Sequence, residues 1–97
     1  MQVNVLTAFF RLIEEDNCIS TSHISVYVAL FHLWMENDFQ NPFFISRQVV
    51  MKAAKINGLA TYHRCMKDLH RLQYIRYLPS YHPGKKTKVI IIGEEMQ

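Results

Sequence analysis

Residues 46–72, SRQVVMKAAKINGLATYHRCMKDLHRL, decide the fold. Ser46 is a residue type that caps helix starts, and the run RQVVMKAAK behind it offers Val49, Val50 and Ala53 as inward positions of a short helix. Asn57-Gly58 is a strong turn dipeptide. Beyond it, Tyr62, Met66, Leu69 and Leu72 recur at helical spacing and give a second helix, over 59–72, a buried stripe. The rest of that helix is mostly His63, Arg64, Lys67, His70 and Arg71, with Asp68 as its one acid. So much positive charge on so short a helix is either a solvated face or a surface that meets an anion.

The flanks extend the pattern. Residues 22–37 contain Ile24, Tyr27, Val28, Leu30, Phe31, Leu33, Trp34 and Met35, apolar around most of the circumference, as a central helix covered on several sides requires. Leu6, Phe9, Phe10 and Ile13 predict another helix over 3–15. After ENDFQNP breaks the pattern, FFIS at 43–46 is a brief β-like run. Downstream, YIRYLPS and TKVIII are strand-like and enclose YHPGKK, which predicts a hairpin with a basic tip. The order is helix, helix, short strand, helix, tight turn, helix, strand, basic loop, strand. It predicts an α+β chain, mainly α with a small antiparallel β sheet: about four helices and two to three strands. Residues 1–97 read as one domain, with 1–18 as an amino-terminal helix and 20–92 as the core.

Composition limits the function classes. With 49% hydrophobic and 12% aromatic residues, 97 residues can build a core, which excludes a disordered tail. Cys18 and Cys65 are too few for a disulfide framework, and with no secretory leader a reducing cytoplasm is the expected compartment. VLTAFFRLI is interrupted by Arg11 and too short to span a bilayer. Charge is divided unevenly. Residues 1–46 hold one base and five acids, a balance of −4, whereas residues 47–97 hold ten bases and three acids, a balance of +7. A polyanion is the natural partner of the second half, nucleic acid before membrane.

A short helix, a Gly-containing turn and an outward-facing helix make a helix-turn-helix, here preceded by a strand and followed by a hairpin. With MKDLHRLQYIRY carrying the passage from the second helix into the hairpin, residues 20–92 resemble the winged helix-turn-helix superfamily of bacterial DNA-binding domains. The likeness is to small regulators of mobile elements and amino-terminal modules of replisome organisers. It implies double-stranded DNA as partner, a hairpin "wing" lying along the minor groove or backbone, and an added terminal helix that can build a two-fold dimer. One position departs from the pattern: Gln73 stands where the family usually has Gly. Either the chain leaves the helix without a left-handed residue, or Gln73 adopts that conformation at a cost.

The residues support the same reading directly. The major groove admits one α-helix, whose amino-terminal turns approach base edges. Opposite the buried stripe, and early in helix 59–72, lie Ala60, Thr61, His63, Arg64 and Lys67. Ala60 and Thr61 permit close approach, Arg64 is suited to a bidentate contact with guanine, and Lys67 and Arg71 to phosphates. The hairpin offers Tyr81, His82, Lys85, Lys86 and Lys88, and Arg47, Lys52, Lys55 and Arg76 are further phosphate candidates. For a homodimer surface the candidates are Phe9, Phe10, Trp34 and Phe39.

Other chemistries find little support. His63, Cys65 and His70 do not converge on one helix face, and the zinc-type pairs Cys-x-x-Cys and His-x-x-x-His are missing, so no metal site is expected. Adjacent Glu14 and Glu15 do not pair as acid and base, and PGKKT lacks the phosphate-cradle pattern, so neither enzyme, cofactor nor small-molecule substrate is expected. Three functions remain: a sequence-specific double-stranded DNA-binding regulator or mobile-element accessory factor, a replication-initiation module, and a module used only for protein–protein interaction.

Overall fold

The computed structural model describes residues 3–82 and 84–93; Pro83 of the predicted hairpin tip, Glu94 and Glu95 of the charge balance, and the two ends lie outside them. Its elements run α1 (Val3–Ile13), α2 (Thr21–Glu36), β1 (Phe43–Ile45), α3 (Arg47–Ala54), α4 (Leu59–Arg71), β2 (Ile75–Leu78) and β3 (Thr87–Ile91). The expected class is observed: four helices and a small antiparallel sheet.

The sheet is ordered β1-β3-β2, with the last strand in the centre. Phe43 pairs with Val89 and Tyr77 with Val89, so one register line crosses all three strands. Alternation turns Phe43, Ile45, Ile75, Val89 and Ile91 inward onto the helices. Asn41 extends the β1–β3 pairing by side chain alone: its amide donates to the Ile91 carbonyl and its carbonyl accepts from the Ile91 N–H, each at 3.1 Å.

Beneath the sheet, α2 is the central helix that its apolar circumference predicts. It buries Val26, Tyr27, Ala29, Leu30 and Trp34 and packs against both α3 and α4. The α1 helix covers one end of this core through Val5 and Phe9, whose ring stacks on Tyr27 with centroids 3.7 Å apart. The Tyr74 hydroxyl donates to the Asp16 carboxylate at 2.7 Å and ties the segment after α1 to the start of β2.

Helix ends follow one design. At α2, α3 and α4 the chain closes with paired bonds: Phe39 N–H to Trp34 and Asp38 N–H to Met35; Ile56 N–H to Met51 and Lys55 N–H to Lys52; Tyr74 N–H to Leu69 and Gln73 N–H to His70. This is the Schellman pattern, which needs a left-handed residue and normally takes glycine there. Here Asp38 (φ 55°), Lys55 (φ 61°) and Gln73 (φ 69°) occupy those positions. Gln73 therefore resolves the sequence ambiguity: it is left-handed, without a glycine's freedom.

Several sequence expectations need correction. The face of α3 is rotated from the predicted one, so Val50, Met51 and Ala54 turn inward while Val49 and Ala53 are exposed. The Ser46 cap holds, its hydroxyl accepting from the Val49 N–H at 3.2 Å. In the α3–α4 turn, the left-handed residue is Lys55, whereas Gly58 (φ −88°) serves as the amino-terminal cap of α4. Of the four aromatic residues assigned to a partner surface, Phe9 (2% exposed) and Trp34 (4%) are used in the chain's own core. Phe39 is half-buried against Trp34 and Phe31, and Phe10, at 41%, is the exposed one of the four.

Candidate nucleic-acid interface

At 100° per residue, α4 divides into four faces. Tyr62, Cys65, Met66 and Leu69 form the buried face. Diametrically opposite, within an arc of about 60°, stand Ala60, Arg64, Lys67 and Arg71, all exposed. This outer stripe carries three cations and no acid. The two flanks explain the remaining polar residues; sequence reasoning missed the roles of Asp68 and His70 because folding brings up their partners, His23 and the Tyr77 N–H.

On one flank are Thr61, half-buried, and Asp68. His23, buried at the start of α2, brings its Nε2 within 2.8 Å of the Asp68 carboxylate. The Ser20 N–H donates to the other ring nitrogen, Nδ1, at 2.9 Å, so Nδ1 must present its lone pair and Nε2 carries the hydrogen given to Asp68. The Ser20 hydroxyl lies 2.8 Å from the same Nδ1. The bond from His23, with help from Arg71 at 3.4 Å, holds the Asp68 carboxyl below its ordinary value of 3.8, against a smaller opposing effect of burial. The single acid of α4 thus anchors the helix on α2 through one oxygen and pairs with Arg71 through the other, and Arg64 and Lys67 carry the stripe's uncompensated charge.

On the other flank are His63 and His70. His63, half-buried, rests edge-on against Tyr62 at 5.2 Å. His70 accepts the Tyr77 N–H at Nδ1, 3.0 Å, which covers part of the free edge of β2 and fixes the strand to α4. The α4 helix is therefore held on both sides by a histidine pairing, and its outer stripe is presented rigidly.

The other predicted residues divide into groups. Arg47 is exposed at the start of α3, and its charge opposes the burial that pushes the Tyr62 phenol of α4 up to about 12. Lys55 forms the turn into α4, and Lys52 is exposed on the last turn of α3. Tyr81, His82, Lys85 and Lys86 are exposed in the loop between β2 and β3, which is braced by the Ser80 N–H donating to the Thr87 hydroxyl at 3.2 Å. Arg76 and Lys88 alternate with inward residues and so project from the outer face of the sheet, away from the helices. The structure does not bring these two onto the α4 stripe; they belong to a separate surface.

No family model, curated protein or solved structure matches this chain.

Among the described residues no group of three or more His, Cys, Asp or Glu gathers in a way that could hold a metal ion. No described helix is long and apolar enough to cross a membrane. The Ser20–His23–Asp68 chain has hydroxyl, imidazole and carboxylate in sequence. However, Ser20 shares the Nδ1 lone pair with its own backbone N–H, and the group sits at a helix start. Its chemistry here is anchoring.

Proposed function

We propose that this protein binds double-stranded DNA in the manner of a winged helix-turn-helix domain, with α4 in the major groove and the 79–88 loop against the backbone or minor groove. The observation that carries the reading is the α4 outer stripe: Ala60, Arg64, Lys67 and Arg71 lie in line, opposite the fully buried Met66 and Leu69, while Asp68 is turned away onto His23. A stripe of this kind fits a groove lined by phosphates, with a small residue early where the helix approaches most closely and cations further along. Arg64 reads a base edge and Lys67 and Arg71 position the helix on the backbone. Such a protein serves as a small cytoplasmic transcriptional regulator or mobile-element accessory factor, selecting sites by sequence.

The exposed apolar residues of α1, among them Val3, Phe10 and Leu12, support a second contact with protein, either a homodimer or the partner of a replication-initiation module. Two-fold pairing would set half-sites about one helical turn apart. Light scattering distinguishes monomer from dimer.

Fluorescence anisotropy with a random-sequence duplex tests the main reading. If about six phosphates are engaged, by Arg47, Lys52, Lys67, Arg71, Lys85 and Lys86, affinity falls with salt with a log–log slope of about −5, at about −0.9 per phosphate. Replacing Arg64 and Lys67 by Ala weakens duplex binding, with the Arg64 change also relaxing sequence preference by about 1–3 kcal/mol. Unchanged affinity in the double variant removes α4 from the interface, and salt-independent binding points to a protein partner.

A further inference from the structure

The outer face of the sheet is a second surface with a different chemistry. Register places Lys88 directly between Phe44 on β1 and Leu78 on β2. All three project away from the core, with Phe44 61% and Leu78 43% exposed. Tyr81, just beyond β2, is 87% exposed. Lys86 holds its ammonium 5.8 Å from the centre of the Phe44 ring, and Lys85 joins the same concavity of about 800 Å³. No acid lines it. Two exposed aromatic rings and Leu78, set among three cations, make one mixed apolar and basic patch of the kind that marks an interaction site.

Charge complementarity requires the occupant to be anionic, and the open rings require it to present flat apolar groups. An alternation of phosphate and base satisfies both along one flexible strand. A duplex does not, because its bases are stacked inside. We infer that this face binds single-stranded DNA, stacking unpaired bases on Phe44 and Tyr81 while Lys85, Lys86 and Lys88 follow the phosphates. The inference rests on the proposed function only for the choice of DNA over another single-stranded polyanion. Stacking and charge matching do not depend on α4.

The test uses the full-length chain and labelled dT12, an abasic phosphodiester 12-mer, rU12 and a blunt duplex. Binding of dT12 exceeds that of the abasic strand by about ten-fold or more, since each stacked base contributes about five- to 150-fold. Phe44→Ala and Tyr81→Ala each reduce dT12 affinity about ten-fold, and Phe44→Ala, which lies outside the proposed duplex contact, leaves duplex affinity within about two-fold; both side chains are exposed, and circular dichroism checks that the variants fold. The α4 double change, Arg64→Ala with Lys67→Ala, does the reverse. Equal binding of dT12 and the abasic strand reduces the face to a charged surface and overturns the inference, as does dT12 affinity indifferent to both aromatic changes. Tighter binding of rU12 than dT12 overturns the choice of DNA. If the duplex fails to bind while dT12 binding remains sensitive to Phe44 and Tyr81, the α4 reading falls and this one stands.

Discussion

Replacing Gln73 by glycine stabilises this protein. Gln73 has φ 69°, and its N–H and that of Tyr74 close α4 onto His70 and Leu69. A side chain in the left-handed region costs about 1–2 kcal/mol through crowding of Cβ against the following carbonyl. Glycine removes that cost but gives back about 0.5–1 kcal/mol in unfolded-chain freedom. The net gain is about 0.5–1 kcal/mol, which raises the melting temperature of a chain this size by about 2–8 °C. No side-chain hydrogen bond is lost, since the bond Gln73 makes here comes from its backbone N–H, which glycine keeps. Lys55→Gly relieves the same conformation at the end of α3, far enough away in the fold for the two gains to add. Two controls separate backbone strain from side-chain loss: Gln73→Ala keeps the Cβ and gives no gain. Gly58→Ala is tolerated, because at φ −88° its new Cβ meets Thr61 Oγ1 at an ordinary 3.5 Å. Thermal unfolding by circular dichroism, supported by fluorescence of the single tryptophan, Trp34, reads all four variants. A gain with Gln73→Ala equal to that with glycine, or none with glycine, refutes the strain reasoning.

His23→Ala removes a buried ring and leaves the Ser20 N–H and the Asp68 carboxylate without their partner, at a cost of about 1–3 kcal/mol, reduced because water can reach Asp68; denaturant unfolding measures it, and duplex affinity of the folded fraction falls as α4 loses its anchor on α2. Acid destabilises the fold through two carboxyls: Asp68, lowered chiefly by the bond from His23, and Asp16, lowered chiefly by the Tyr74 hydroxyl. Because both are held below the ordinary 3.8, their contribution is complete above that pH and is lost as pH falls through the folded values. Melting temperature is therefore insensitive to these two groups from neutrality to about pH 5 and declines below about pH 4. The double change Asp16→Asn with Asp68→Asn flattens that decline.

The elements themselves were legible because each carries a periodic apolar pattern with a recognisable boundary. Ser46 marked α3, and the spacing of Tyr62, Met66 and Leu69 marked α4. Where the pattern was thin, the reading failed. In an eight-residue helix, Val49, Val50 and Ala53 are as regular a choice as Val50, Met51 and Ala54, and tertiary contact alone selects between them. Asn57-Gly58 drew attention to a turn whose left-handed residue is Lys55, because backbone hydrogen bonds can hold a non-glycine residue there. Phe9 and Trp34 are candidates for a homodimer surface by sequence, yet Phe9 stacks on Tyr27 and Trp34 packs on Phe31 and Phe39. The basic stripe could be found from sequence, since it needs helical periodicity only. The roles of Asp68, His23 and His70 could not, since each depends on a partner brought up by folding: His23 lies 45 residues from Asp68. Likewise Phe44 gained significance only from the register that sets it beside Lys88.

Amide chemical-shift mapping of the ¹⁵N-labelled protein during titration with a short duplex tests the central claim most directly. The account predicts the largest shifts on the exposed residues of α4 from Ala60 to Arg71 and in the 79–88 loop, with the outward residues of α1 unmoved. Shifts concentrated on α1 and α2, with Arg64 and Lys67 silent at saturating duplex, would contradict it.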